Sequence, residues 1–263
     1  MELNLVDRVV VITGANAGIG LATAEAFLAE GSWVVGGDIS VSALDELGDR
    51  AWGVEVDLAT PGGPGRLVDE ALSRLGRVDV LVNNLGIAKP QPGFLEIPDE
   101  QWHEIFEVNL FSMVRACKAV LPSMVRQSRG VIVSIASDLG RQPESGFADY
   151  GGSKAAIILA AKAIANEFGP HGVRSVCLSP GPVLTSVWTE PGGFGDALAR
   201  EHGFERFEEM LDEFVTSIRP TPLRRMATPQ EVAAMIAFLS SDVACHVTGS
   251  NYGVDGGLLR GIH

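Results

Sequence analysis

The sequence predicts a doubly wound α/β fold: a single domain around a parallel sheet of about seven strands, with helices on both faces. Three observations predict it. Short β-branched runs alternate with longer helical patterns along the 263-residue chain. Those short runs are apolar throughout rather than alternating, as strands covered on both faces must be. No repeat, low-complexity stretch or linker divides the chain, and its length suits one large domain.

Arg8–Thr13 (RVVVIT) reads as the first strand and Gly18–Glu30 as the helix after it. Ser32–Asp38 is the second strand, followed by a short helix over Val41–Leu47. Trp52–Val56 is the third strand, with a helix over Arg66–Leu75. Val78–Val82 is the fourth, and a long helix over Asp99–Val125 follows it. Gly130–Ala136 is the fifth, with Asp149–Phe168 as its helix, and Val173–Leu178 is the sixth. After a mixed stretch come the helix Pro229–Leu239 and a last strand near Asn251–Val254. The region at about 184–226 reads as an insertion before the last βα unit. In such sheets a ligand sits beyond the carboxyl ends of the strands.

A formal net charge of −13 argues against nucleic-acid binding, which needs a basic face. Three well-separated cysteines, Cys117, Cys177 and Cys245, fit a reduced, cytoplasmic chain with neither a disulfide framework nor a zinc site. The histidines and carboxylates show no ligand spacing, so no metal is expected. The first residues lack the pattern of a signal peptide. The most apolar helical run, Ala155–Ala165, is interrupted by Lys162 and is too short to span a bilayer, so no membrane association is expected.

Chemistry is carried by three groups of residues. Gly14, Gly18 and Gly20, with Asn16 and Ile19 between them, follow the first strand and open the first helix. Glycines there let the backbone turn tightly and approach a pyrophosphate at a helix N-terminus. Asp38 ends the second strand, 18 residues after Gly20. A carboxylate at that place accepts hydrogen bonds from an adenosine ribose and repels a 2′-phosphate, which selects NAD over NADP. Tyr150 and Lys154 stand four apart on one face of a helix, with Ser137 thirteen residues upstream of Tyr150. A nearby ammonium favours the phenolate and is expected to lower the phenol from its usual ~10. With a serine hydroxyl to hold the substrate oxygen, the set reads as acid/base machinery for an alcohol–carbonyl interconversion.

In order and spacing these motifs resemble those of the short-chain dehydrogenase/reductase family, nearly end to end. Thr13-Gly14-x-x-x-Gly18-Ile19-Gly20 resembles its cofactor motif, and Asp57-Leu58 its adenine contact. Asn83-Asn84-Leu85-Gly86 resembles its Asn-Asn-Ala-Gly motif, with Leu for Ala. Asn109, Ser137, Tyr150 and Lys154 match its catalytic tetrad, and Pro180–Thr185 its nicotinamide-side loop. Thr248-Gly249 and Asp255-Gly256-Gly257 match its C-terminal signature.

The resemblance implies a Rossmann-like NAD-binding domain. Tyr150 would be the general acid/base, and Lys154 would lower its pKa and bind the nicotinamide ribose. Ser137 would orient the substrate oxygen, and Asn109 would hold a water on a proton path. Gly14, Asn16, Gly18, Ile19, Gly20, Asp38, Asp57, Leu58, Asn84, Tyr150, Lys154, Val183 and Thr185 would line the cofactor. It also implies a homo-oligomer, dimer or tetramer. Two departures stand out: Leu85 adds bulk that a neighbouring gap is expected to absorb, and Asp138 either contacts a polar substrate group or, the preferred reading, faces solvent. Phe204, Phe207, Leu211 and Phe214 form a stripe in the insertion, where the family places a lid, so a mobile flap over a mostly apolar substrate is expected. The activity expected is NAD-dependent interconversion of a secondary alcohol and a ketone. The alternatives are a 3-oxoacyl-thioester reductase and a non-catalytic nucleotide-binding scaffold.

Overall fold

The computed structural model describes residues 2–261. Seven parallel strands form one sheet in the order β3-β2-β1-β4-β5-β6-β7. They are β1 (Val9–Thr13), β2 (Trp33–Asp38), β3 (Ala51–Glu55), β4 (Val80–Asn83), β5 (Gly130–Ile135), β6 (Val173–Pro180) and β7 (Asn251–Val254). The helices between them are α1 (Gly18–Ala29), α2 (Ser42–Asp45), α3 (Gly63–Leu75), α4 (Asp99–Phe106), α5 (Ser112–Arg126) and α6 (Ala148–Phe168). The stretch between β6 and β7 adds α7 (Ser186–Thr189), α8 (Phe194–Glu201), α9 (Phe207–Glu213) and α10 (Pro229–Ser240).

Strand periodicity sorts the core into two layers. Val11, Val35, Leu81 and Ile132 point to the face covered by Leu67, Val68, Ala116, Val120, Ile157 and Ala161 of α3, α5 and α6. Val10, Ile12, Val34, Val80 and Val82 point the other way, against Phe27 of α1 and Val232 and Ile236 of α10. Each such aliphatic side chain contributes about 1.5–3 kcal/mol of burial free energy, so the pattern fixes the register of these strands. Cys117 and Cys177 lie buried in the first layer as free thiols, both pushed up to about 12 by burial.

The long helix expected over Asp99–Val125 is interrupted. A π-turn over Glu107–Phe111 joins α4 to α5 and carries the buried Asn109. Such turns insert one residue and re-aim a side chain, and sequence periodicity does not register them. The stretch Asp99–Arg126 is long and apolar enough to cross a membrane by length and composition. Its apolar face, including Met113, Ala116, Cys117, Val120 and Met124, is spent on the sheet instead.

The sequence order reverses between β1 and β4, so the connections after these two strands diverge and leave a crevice at their carboxyl ends. The turn after β1 is tight because Gly20 backs directly onto it. A Cβ at Gly20 would lie 2.0 Å from the Gly14 carbonyl oxygen. At Gly65 of α3 a Cβ would meet nothing within 4 Å. Gly20→Ala is therefore expected to lose about 1–3 kcal/mol by overpacking, and Gly65→Ala to gain about 0.4–1 kcal/mol. Urea unfolding of the two variants checks the contrast; equal effects would show that the turn yields.

Candidate active site

The crevice opens into a cleft of about 550 Å³ lined from both sides of the switch point. At one end stands the glycine turn. Gly14 and Gly18 hold left-handed backbone, φ +66° and +54°, which glycine adopts without strain. Thr13 Oγ1 accepts from the Asn84 and Leu85 amides at 3.0 and 3.1 Å. Asn84 Nδ2 in turn donates to the Thr13 and Gly14 carbonyls at 3.1 and 2.8 Å. These bonds staple the end of β4 to the turn after β1. Asp38 closes this end: its carboxylate accepts from the Asn16 amide at 3.1 Å and the Ile39 amide at 2.7 Å.

Of the residues the sequence assigns to a cofactor, Gly14, Gly18, Ile19, Asp38, Asn84, Tyr150, Lys154, Val183 and Thr185 line this cleft. Four stand behind or beside it. Asn16 Oδ1 accepts from the Ala43 amide at 2.9 Å and so fixes the start of α2. Gly20 is the packing glycine behind the turn. Leu58 is buried in the core, and the exposed Asp57 accepts from the Ala59 amide at 2.9 Å. Glycines free of Cβ bulk, a helix opening behind them and a carboxylate at the end of β2 fit a dinucleotide.

The other end holds the residues that the sequence assigns to acid/base work. Ser137 follows β5, while Tyr150 and Lys154 lie one turn apart on α6. Lys154 is buried, and its ammonium donates to the Ile135 carbonyl at 2.8 Å. Gly86 leaves room for it, since a Cβ there would be 3.0 Å from Lys154 Nζ. Burial with few partners lowers the Lys154 ammonium to about 8. Tyr150 moves opposite to the expectation: it is pushed up to about 12. Desolvation of the phenolate is the largest cause, and the Ser137 hydroxyl offsets it only in part. Lys154 Nζ stands over the ring, 5.6 Å from its centroid. Tyr150 is thus the protonated, donor form at neutral pH.

Asn109 does not line the cleft. Its amide holds the backbone of Ile87, accepting from Ile87 N at 2.8 Å and donating to Ile87 O at 3.0 Å, and it donates to Ser153 Oγ at 3.1 Å. It ties α6 to the loop after β4 and keeps that loop against Lys154.

Beyond Ser137 the wall is apolar on one side, with Phe147, Val187, Trp188 and Phe194. None of the four stripe residues expected to form a lid lines the cleft. Phe207 and Phe214 are buried with Ala199, Met210, Val215 and Met226 in a small core of their own, with Phe204 and Leu211 packed against it. Trp188 packs at a tilt against Phe207 and Phe214, 4.9 and 5.1 Å between centroids, and it is Trp188 and Phe194 that reach the cleft. Phe147 lines the cleft, whereas Trp102 packs on Phe94 and Phe106.

Asp138 does not face solvent. It is buried at 3% exposure, accepts from Ser137 Oγ at 2.9 Å and pairs with Arg219 at 2.6 Å. Arg219 also approaches Glu144 at 3.2 Å. Sequence reasoning did not find Arg219, which lies 81 residues from Asp138 with no motif around it. Leu85 packs partly buried against the core and also lines the cleft.

The chain was compared with known proteins. A family model described as enoyl-(acyl carrier protein) reductase matches residues 14–259. A 3-oxoacyl-(acyl-carrier-protein) reductase of Thermotoga maritima is 34% identical, with 98% of this chain and 100% of that protein covered. The structure of L-sorbose reductase from Gluconobacter frateurii, complexed with NADPH and L-sorbose, superposes with a TM-score of 0.91 at 33% identity, covering 100% of both chains. A 3-ketoacyl-(acyl-carrier-protein) reductase from Brucella melitensis, complexed with NADH, gives a TM-score of 0.82 at 29% identity, over 97% of this chain and 99% of that one. The chain belongs to the short-chain dehydrogenase/reductase family and is an oxidoreductase that binds a nicotinamide cofactor.

The buried ammonium makes a stability prediction. The folded value of Lys154, about 8, lies below the ordinary 10.5, so the folded chain sheds this proton first. Its burial therefore costs stability below pH 8, and the cost fades as pH rises toward 10.5. Lys154→Met is expected to gain about 1–3 kcal/mol at pH 7, with the gain shrinking by pH 10. Chemical unfolding at the two pH values measures it; a destabilised variant at pH 7 would refute the balance described.

Proposed function

We propose that the chain is an NAD-dependent oxidoreductase interconverting a secondary alcohol and its ketone, on a medium-sized and mostly apolar substrate. What carries this reading is the convergence of the Ser137 hydroxyl, the Tyr150 phenol and the Lys154 ammonium at one end of a cleft that has Asp38 at the other. When bound, the cofactor supplies or accepts the hydride, so that ketone, hydride and one proton make the alcohol. The chain's own part is placement and the proton. Tyr150 donates that proton to the carbonyl oxygen in reduction and takes it back in oxidation. Ser137 hydrogen-bonds the same oxygen. The Lys154 charge stabilises the phenolate left behind, worth about 1.4 kcal/mol per pKa unit. Asn109 holds the loop that packs against Lys154. Val187, Trp188 and Phe194 exclude water from the substrate's body.

Support for NAD comes from the distribution of charge in the cleft. Asp38 offers a carboxylate where the adenosine ribose would lie. The basic residues among those lining the cleft, Lys154 and Arg219, both stand at the far end, so nothing there would neutralise a 2′-phosphate. NADH is expected to exceed NADPH by about 100-fold in kcat/KM, the cost of setting a 2′-phosphate against an unpaired like charge. Asp38→Ser should erase most of that difference. A preference of the unaltered enzyme for NADPH would overturn the cofactor assignment.

The Thermotoga maritima relative favours a second reading, a 3-oxoacyl-thioester reductase. Turnover of an acetoacetyl thioester against simple secondary ketones, each with NADH, separates the two. Tyr150→Phe should bind NADH nearly as the unaltered chain does and lose at least about 10²-fold in turnover; retained turnover would refute the acid/base role. Reduction needs both Tyr150 and Lys154 protonated. With Lys154 at about 8 and Tyr150 at about 12, kcat/KM for reduction is expected to fall above an apparent pKa near 8. A flat profile to pH 10 would count against the role of Lys154. We further propose a homo-oligomer, since Phe111 and Leu159, beside and on the two long helices, are exposed at 45% and 73%.

A further inference from the structure

The corner of the cleft beside Ser137 holds an ion pair that the reaction itself does not use. Asp138 Oδ1 accepts from Ser137 Oγ at 2.9 Å, and Oδ2 accepts from Arg219 at 2.6 Å. The two side chains are 5% and 17% exposed, and both line the cleft with Ser137 and Tyr150. Pairs this buried contribute little net stability, because desolvation offsets their attraction. A hydrophobic contact would hold the chain at Arg219 as well, so folding alone does not account for the pair.

Charge and geometry together narrow what such a corner binds. One guanidinium faces two carboxylates, Asp138 and Glu144, so the cluster is formally negative. An anionic substrate group would be repelled. An ammonium could donate to Asp138 but could accept nothing from Arg219. A neutral hydroxyl suits both partners: it donates to an unused lone pair of Asp138 and accepts from an unused N–H of Arg219.

Position then says where the hydroxyl is. Ser137 and Tyr150 hold the reacting oxygen, and the Asp138 carboxylate is one hydrogen bond from Ser137 Oγ. That short spacing suits a group on the carbon next to the one that reacts. Without substrate, the Ser137 hydrogen is directed at Asp138. A substrate hydroxyl donating to the same carboxylate weakens its hold on the Ser137 hydrogen and frees Ser137 to donate to the carbonyl oxygen.

We propose that Asp138 and Arg219 are specificity-determining residues that bind a hydroxyl adjacent to the reacting carbon, so that the substrates are 2-hydroxyketones and the matching 1,2-diols, with an otherwise apolar body. This rests on the alcohol–ketone reading above.

The test compares 2-hydroxycyclohexanone with cyclohexanone, and 2-hydroxy-1-phenylpropan-1-one with propiophenone, each with NADH. The hydroxylated member is expected to be favoured by about 30–100-fold in kcat/KM, less than where a site's polar groups are left wholly unpaired, since Asp138 and Arg219 satisfy each other. In Asp138→Ala and Arg219→Leu the ratio should fall to within about 3-fold of unity, and Arg219→Lys should keep part of it. A merely structural tie would lower both substrates together and leave the ratio unchanged, which would overturn the proposal. So would plain ketones reduced as well as hydroxyketones by the unaltered enzyme, an outcome that leaves the alcohol–ketone reading standing and does not depend on any variant folding. No turnover of either pair would overturn that reading and this inference with it.

Discussion

A parallel sheet buried on both faces leaves only its ends for polar chemistry, and everything functional in this chain follows from that constraint. The strand residues are spent on two apolar layers, Val11 and Leu81 on one side and Val10 and Val82 on the other. At the carboxyl ends, the switch between β1 and β4 separates the outgoing loops and leaves space. The staple from Thr13 to Asn84 and Leu85 keeps that space at a fixed width. The tight contact of Gly20 on Gly14 keeps the turn out of it.

Within the cleft, the same burial that builds the sheet sets the protonation states. Lys154 is lowered and Tyr150 raised, each chiefly by desolvation, so the two move in opposite directions. The pair is therefore not a phenolate held by its ammonium when nothing else is bound. It is a phenol ready to give a proton beside a cation that is costly to bury. That cost is characteristic of residues kept for chemistry at the expense of stability.

The region between β6 and α10 has a different design. Its aromatic stripe closes on itself, with Phe207 and Phe214 at the centre and Trp188 and Phe194 turned to the cleft. The Arg219 bond to Asp138 ties its end to the loop after β5, which makes the cleft-facing wall and Ser137 parts of one network.

How much of this was legible in the sequence follows from the range of each signal. Strand runs such as Arg8–Thr13, the glycine turn, Asp38 and the Tyr150–Lys154 spacing are local, and each was readable because backbone geometry and period impose them within a few residues. The π-turn carrying Asn109 was not, since one inserted residue leaves the hydrophobic period nearly intact. Asp138 was misplaced toward solvent because its burial depends on Arg219, 81 residues away. The direction of the Tyr150 shift escaped for a related reason: a neighbouring lysine is visible in sequence, but the loss of water around a phenol is not. The sequence by itself thus determined the sheet, the family and the chemical groups, because these are written in local pattern. Only the tertiary structure decided which charges meet and which are dry, because desolvation and long-range pairing exist only once distant segments pack.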